Sequence, residues 1–434
     1  MQQHRIITVV ASNLPFLNSP GHRTSLQQDG CKKREPLRTM RSSFRDLFRY
    51  FLEFACFCLF YSQLASSHPP KVKLKQPSFL TDQFWNGGAY RIGLSLAAAC
   101  VLILSGTSFA QDGASYVITI GLNNPRAVYY AADGDIYVVD SGTGGMVETA
   151  TPIELAVGGG SSNVYVIDSD GTQRILIYGL LSVIIRGTEA AGASDIIVLD
   201  DTIWLLLSQG SNLQQNNPTN PFSYALVKLD RETLRLQEFI DFYAYELENN
   251  PDANEIDSNP QDLAIGPDGT VYIADSGANT VYSWTEDSGL QVFHTWSGNP
   301  MPTSVAVGQG GDLYIGFLSA FPFIEESAVI ERWSTDGELV ETFSGLTLVD
   351  DVVVDEDGTI YATELGRFDL EARGTPWLPE SGRVVEVTAD GPVAISEGLN
   401  FPYGLVINPA GGLTVTVNSA FTEPGAGAVI NIGG

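Results

Sequence analysis

From residue 115 onward the hydrophobic positions alternate with polar ones over runs of five to seven residues, and Asp-Gly or Gly-Gly pairs punctuate the runs. A period of two predicts half-buried strands, and Asp-Gly joins them in tight turns because glycine accepts a positive φ. The alternation itself repeats. Asn124–Gly142 reads NPRAVYYAADGDIYVVDSG and Asn259–Gly277 reads NPQDLAIGPDGTVYIADSG, with Asp-Gly eight residues after Pro in both. Weaker copies begin at Gly192, Met301, Leu348 and Phe401, and the central aromatic falls at Tyr137, Trp204, Tyr272, Tyr314 and Tyr361, with Thr414 in the last. A second hairpin follows most copies, as in 162–179, 279–296, 328–345 and 382–398. Four antiparallel strands repeated six times, with almost no helical period, predict an all-β chain: a six-bladed β-propeller over 111–434.

Ring closure is also predicted. One strand is left over at each end of the repeats, SYVITIG (115–121) and GAVINIGG (427–434), and pairing them would complete the last blade and cover its edges. Gly144–Gly160 and Gln209–Pro221 break the pattern and are expected to be long surface loops.

Charge divides the chain. Of its 23 Lys+Arg and 51 Asp+Glu, residues 1–110 hold 13 and 5, a net +8, whereas 111–434 hold 10 and 46, a net −36. All four Cys lie before residue 111, and His294 is the one His after it. The body therefore cannot carry a Cys nucleophile, a disulfide framework or a two-His zinc site. It would repel nucleic acid, whose binding needs Lys and Arg on phosphate. Cations, cationic surfaces and neutral sugars remain as partners.

Residues 1–85 show no sustained period and read as an unstructured extension or a gene-start error. Within 86–110, Arg91 precedes the apolar run IGLSLAAACVLILSGTSFA, and small residues at Ser108 and Ala110 suit cleavage after Ala110. That is the form of a secretory signal peptide, so the mature protein is expected to be secreted, a monomer and without a membrane span.

Each copy places a polar residue at the start of its first strand, followed by a second position that is Asp in three of the six, and both would line the channel. The outer set is Arg126, Ser194, Gln261, Thr303, Asp350 and Tyr403, and the inner set is Ala127, Asp195, Asp262, Ser304, Asp351 and Gly404. Five of the outer residues, Arg126, Gln261, Thr303, Asp350 and Tyr403, are candidate ligand contacts for a small molecule, glycan or protein. Asp195, Asp262 and Asp351 would converge at one level, and converging carboxylates repel unless a cation such as Ca²⁺ joins them. The competing reading is that each Asp only caps a turn. The oxygen-rich segment Tyr243–Asn259 adds Glu246, Asn250 and Asp252 as candidate contacts on a loop that a short helix would open. Asp140, Asp275 and Glu364, at the ends of second strands, are expected to bond backbone N–H groups.

The segment EFIDFYAYELENNPDANEIDSNPQDLAIGPDGTVYIADSG (238–277), with LNNPRAV (122–128), MPTSVAVGQGGDLYIGFLSAFPF (301–323), LVDDVVVDEDGTIYATEL (348–365) and NFPYGLVI (400–407), resembles the ScyD/ScyE family of secreted propellers. The resemblance implies an NHL-like six-bladed propeller with no assigned activity and no catalytic residues. The chain departs from the family pattern at Asp262, where Gly is usual, and across 144–160. Three functions fit these readings: a secreted binding module, a Ca²⁺-dependent lactonase-like hydrolase using channel carboxylates, and an extracellular structural protein whose acidity serves solubility.

Overall fold

The computed structural model of the protein describes residues 115–150, 155–185, 189–208, 223–372 and 374–433. The expected extension, signal peptide and 209–221 loop fall on residues outside those described.

The strands run β1 (Tyr116–Leu122), β2 (Pro125–Tyr130), β3 (Ile136–Asp140), β4 (Val147–Ala150), β5 (Leu155–Ile167), β6 (Gln173–Ile185) and β7 (Glu189–Ala191). Then come β8 (Ala193–Val198), β9 (Thr202–Leu207), β10 (Ala225–Asp230), β11 (Leu236–Asp241) and the one helix among the described residues, α1 (Phe242–Asn249). Blades three and four are β12 (Pro260–Ile265) to β15 (Gly289–Thr295), through β13 (Val271–Asp275) and β14 (Thr280–Thr285), and β16 (Pro302–Val307) to β19 (Leu339–Leu346), through β17 (Leu313–Phe317) and β18 (Ala328–Trp333). The rest are β20 (Val349–Val354), β21 (Ile360–Glu364), β22 (Arg367–Phe368), β23 (Trp377–Leu378), β24 (Gly382–Thr388), β25 (Gly391–Leu399), β26 (Leu405–Ile407), β27 (Leu413–Val417) and β28 (Gly427–Ile432).

These form six antiparallel blades: β2-β3-β5-β6, β8 to β11, β12 to β15, β16 to β19, β20-β21-β24-β25, and β26-β27-β28-β1. The chain is a six-bladed β-propeller. Closure follows the predicted pairing, with Tyr116 opposite Asn431 and Ile120 opposite Ala428.

Apolar faces of successive blades pack on each other, which is why the core divides into clusters that each draw on neighbouring blades. Ile196, Ile203 and Leu205 of the second blade pack with Tyr137, Val139 and Val164 of the first. The repeated aromatics Tyr137, Trp204, Tyr272 and Tyr314 are buried, and Tyr361 is half-buried. The sixth blade has Thr414 in that place. It is buried, meets the Tyr130 hydroxyl of blade one at 3.0 Å, and donates to Asn431 Oδ1.

One expectation is overturned. Gly144–Gly160 is not simply a loop: β4 pairs with the first half of β5, and β5 and β6 run 13 residues each. The glycines permit this. A Cβ on Gly145 would come within 2.3 Å of the Gly158 carbonyl oxygen, so two backbones touch where side chains would have kept them apart. The second departure from the repeat is the small β22–β23 hairpin inserted in blade five.

Candidate functional site

The channel is built from the first strand of each blade, and these strands share one irregularity. In five of them the pairing slips by a residue, between Pro125 and Ala127, Ala193 and Asp195, Pro260 and Asp262, Pro302 and Ser304, and Val349 and Asp351. The residue skipped in each case is Arg126, Ser194, Gln261, Thr303 or Asp350. A β-bulge leaves its extra residue out of the ladder and re-aims its side chain. The outer polar set read from the sequence is therefore a ring of bulges. Tyr403 is its sixth member, just before β26, where its own N–H still bonds Thr416.

Four residues of the outer set meet on one pocket of about 60 Å³: the bulged Arg126, Ser194 and Gln261, and Tyr403, joined by Glu189, Ser208 and Asn259. The Arg126 guanidinium lies 4.1 Å from the centre of the Tyr403 ring, a cation–π contact, and donates to the Ala190 carbonyl of β7 at 2.5 Å. The Tyr403 hydroxyl donates to Gln261 Oε1 at 2.7 Å, and Ser208 donates to Asn259 Oδ1 at 2.5 Å. Burial holds the Tyr403 phenol well above its ordinary pKa. Asp350 is buried nearby, and one of its carboxylate oxygens, Oδ2, has no hydrogen-bond partner. Burial drives its pKa well up, with Arg126 opposing and Asp351 and Asp262 reinforcing. Thr303 turns elsewhere, donating to the Val349 carbonyl at 2.7 Å and tying blade four to blade five.

One residue further along, the inner set forms a belt that clasps each blade to the next. Asp195 Oδ2 accepts from Leu263 N at 3.0 Å. Asp262 Oδ2 accepts from Val305 N at 2.8 Å and from Ser304 Oγ at 2.7 Å. Ser304 Oγ accepts from Val352 N at 2.9 Å, and Asp351 Oδ2 accepts from Leu405 N at 2.6 Å. Asp262 Oδ1 and Asp351 Oδ1 also accept, from Leu263 N at 2.8 Å and Val352 N at 2.7 Å. Where the belt has no acceptor the backbones close in. A Cβ on Gly404 would lie 2.3 Å from the Arg126 carbonyl oxygen and 2.8 Å from Ala127 Cα.

These bonds bear directly on a metal. Ca²⁺ takes six to eight oxygens that point at it. The belt carboxylates spend their oxygens on N–H and O–H donors, and among the described residues no three His, Cys, Asp or Glu are gathered to hold a metal ion. As arranged here the belt oxygens bond between blades, and no ready-made Ca²⁺ cage is gathered among the described residues. Nor do the aspartates merely cap their own turns: each reaches the neighbouring blade. Their burial and mutual repulsion raise their pKa values. Burial first, then neighbouring carboxylates, lifts Asp262 and Asp351 well above the usual carboxylate range and Asp195 to about 7.

The segment before β12 is a knitted cap. Asp241 caps α1 by accepting from Ala244 N at 2.9 Å, and Asn250 ends it in the left-handed region. Glu246 points inward rather than toward solvent. It is fully buried, its Oε1 accepts from the Tyr282 hydroxyl at 3.0 Å, its Oε2 is unpartnered, and burial raises its pKa to about 8. Asp252 accepts from Asn279 Nδ2 at 2.8 Å, and Asn250 donates to the Asn254 carbonyl at 3.0 Å. These three candidates hold the segment together and are not brought to the pocket.

Asp140, Asp275 and Glu364 are buried and accept backbone N–H groups, from Asn123 at 2.8 Å, Asn259 at 2.6 Å and Thr347 at 2.9 Å respectively. His294 lies on the outer strand β15, half-buried against Trp296 and Trp333, with burial lowering its pKa.

Sequence reasoning missed Glu189, Ser208 and Asn259 at the pocket. Only Asn259, the residue before the Pro of its repeat, carried a signal; β7 reaches the mouth through the extension of blade one. It missed as well an aromatic cluster on the loops after β17, β21 and β27, in which Phe323, Phe368, Trp377 and Phe421 pack against a core that includes Tyr403.

No family model matches the chain, and no curated protein does. Solved structures do. Virginiamycin B lyase from Staphylococcus aureus is 11% identical, with 73% of this chain and 87% of that one covered and a TM-score of 0.41. A calcium-binding protein, regucalcin, from Agrobacterium tumefaciens is 12% identical over 74% and 94%, with a TM-score of 0.44. Aldose sugar dehydrogenase from Streptomyces coelicolor is 13% identical over 75% and 99%, with a TM-score of 0.45. Likeness this slight says nothing of what the present chain binds.

Proposed function

We propose that this chain is a secreted, non-enzymatic binding protein, similar to ScyD/ScyE family propellers, which takes a hydroxyl-rich neutral group at the mouth of its channel. The observation that carries the reading is the convergence of four outer-ring side chains, three of them on bulges, from four different blades on one small polar pocket. The chemistry of the pocket is mixed: a guanidinium, amides, aliphatic and phenolic hydroxyls, an aromatic ring, and a carboxylate at Glu189. A set with donors and acceptors in balance suits a group that is both, such as the vicinal hydroxyls of a sugar. Size limits the ligand. Whole-ligand pockets run from about 300 Å³ upward, so about 60 Å³ admits the end of a molecule and not all of it. Secretion rests on the signal-like segment before residue 111.

The lactonase-like alternative needs a cation held by Asp195, Asp262 and Asp351, whose oxygens are engaged between blades. It is the weaker reading. Calorimetric titration with glucose, N-acetylglucosamine and cellobiose, beside an assay of gluconolactone hydrolysis, tests both. The binding reading expects a measurable heat for at least one sugar, lost in Ser194→Ala with Gln261→Ala, and no lactone turnover. Silence from all three sugars, or binding unchanged in that variant, overturns it.

A further inference from the structure

The aromatic cluster on blades four to six is half open to solvent. Phe321 is 60% exposed, Ile324 65% and Leu370 61%, beside half-buried Phe323, Phe368, Trp377 and Phe421. Rings there run edge to face, Phe321 against Phe323 at 5.6 Å and Phe368 at 6.0 Å, and Trp377 stacks on Phe421 at 4.8 Å and 16°. An ion pair between Arg367 and Glu325, 2.6 Å apart, ties two of the three loops together, so the surface is presented on braced loops. Contiguous exposed apolar side chains of this kind mark interaction surfaces.

The charge around the cluster selects the occupant. Segments 318–327, 366–381 and 418–426 carry six acidic residues and two Arg. Glu325, Glu326, Asp369, Glu371, Glu380 and Glu423 are all exposed. A membrane-docking surface carries Lys and Arg around its apolar face, because cytoplasmic and bacterial lipid headgroups are anionic. This one is the reverse, on a body of net charge −36. Aromatic faces within an acidic rim match a cation attached to apolar groups: the ring quadrupole attracts the cation, the carboxylates pair with it, and the rings cover the rest. We infer that this surface docks a basic protein segment in which aromatic or aliphatic side chains are interspersed among Lys or Arg. The long-range field of the body would steer such a partner, while the cluster supplies the specificity.

The test must separate the cluster from general attraction to an acidic protein. Two charge-matched dodecapeptides serve, four Arg-Trp-Gly repeats and four Arg-Ser-Gly repeats, titrated by fluorescence anisotropy at 0.15 M salt. The Trp-bearing peptide is expected to bind at least tenfold more tightly. The triple variant Phe321→Ser, Ile324→Ser, Leu370→Ser, which leaves the charge unchanged, is expected to bring the two peptides to parity. Should its melting temperature fall, Ile324→Ser alone, at the most exposed of the three, is expected to reduce the preference at least threefold. Glu326→Gln with Glu371→Gln and Glu423→Gln is expected to weaken both peptides. Equal binding of the two peptides by the unmutated protein, or a preference untouched by the apolar variants, overturns the inference. So does co-sedimentation with phosphatidylcholine or phosphatidylglycerol vesicles in place of peptide binding.

Discussion

The hydroxyl of Tyr403 in the sixth blade donates to Gln261 in the third, 2.7 Å apart although 142 positions separate them in the chain. The bond spans the channel between two outer-ring residues, so it braces the ring across its diameter at the pocket. Gln261→Leu would strand a buried phenol, and an unsatisfied buried group costs about 1–3 kcal/mol. Tyr403→Phe removes the donor and leaves the half-buried amide to water, so it should cost less, about 1 kcal/mol. Denaturant unfolding of the two variants should rank them in that order.

The belt makes stability depend on pH in an unusual direction. Burial and neighbouring carboxylates push Asp195 up to about 7 and Asp262 and Asp351 well above the usual range, and burial pushes Glu246 up to about 8, against about 4 when unfolded. For a carboxylate raised in this way the folded state binds its proton more tightly. The stabilisation is complete below about pH 4 and is lost as pH rises through the folded value. Melting temperature should therefore fall from pH 5 to pH 9. Asp262→Asn, which keeps a carbonyl acceptor and removes a charge, should flatten that decline. A melting curve rising with pH over this range would contradict the raised pKa values of the belt.

Asp351 accepts from the backbone N–H groups of Val352 and Leu405 at once, and its Oδ1 lies 3.0 Å from Ser304 Oγ. Asp351→Ala leaves the Leu405 amide without its side-chain acceptor and loosens the joint between blades five and six. A loss of about 2–4 kcal/mol is expected at pH 5 by chemical denaturation. Millimolar Ca²⁺ should leave the melting temperature of the unmutated protein unchanged at that pH, because the belt oxygens already hold their donors.

Gly404 touches the backbone of the first blade, and the 2.3 Å approach to the Arg126 carbonyl leaves no room for a methyl group. Gly404→Ala must push blades six and one apart. Overpacking of this kind costs about 1–3 kcal/mol and more when the obstacle is backbone. The variant should melt at least several degrees lower, and Gly310→Ala, where a Cβ meets nothing, is the control.

Removing residues before Asn123 deletes β1 and bares the edge of β28. An unpaired edge on an apolar strand invites association. Light scattering should show oligomers or aggregates that the longer chain does not form.

Much of this was legible beforehand because it is local or repeated. The Pro-to-Asp-Gly spacing located both strands of each first hairpin, and the two positions at its start anticipated both rings of the channel, from Arg126 and Ala127 to Tyr403 and Gly404. The turn role of Asp140 and Asp275 was legible too, since Asp-Ser-Gly bonds its own backbone. The glycines of 144–160 misled, because the same residue that loosens a loop also lets two strands touch. Glu246 misled as well: a carboxylate among polar neighbours reads as solvated, and its burial depends on Tyr282, which packs against it from another blade.

Periodicity by itself therefore determined the number of blades, the closing strand and the order of residues facing the axis, since alternation and turn chemistry act over a few neighbours. Only the tertiary structure decided where each belt oxygen points, how four outer-ring side chains share a pocket, and that Phe321 and Trp377 lie on one surface. Those outcomes depend on the distance between blades, which packing sets and no run of residues encodes alone.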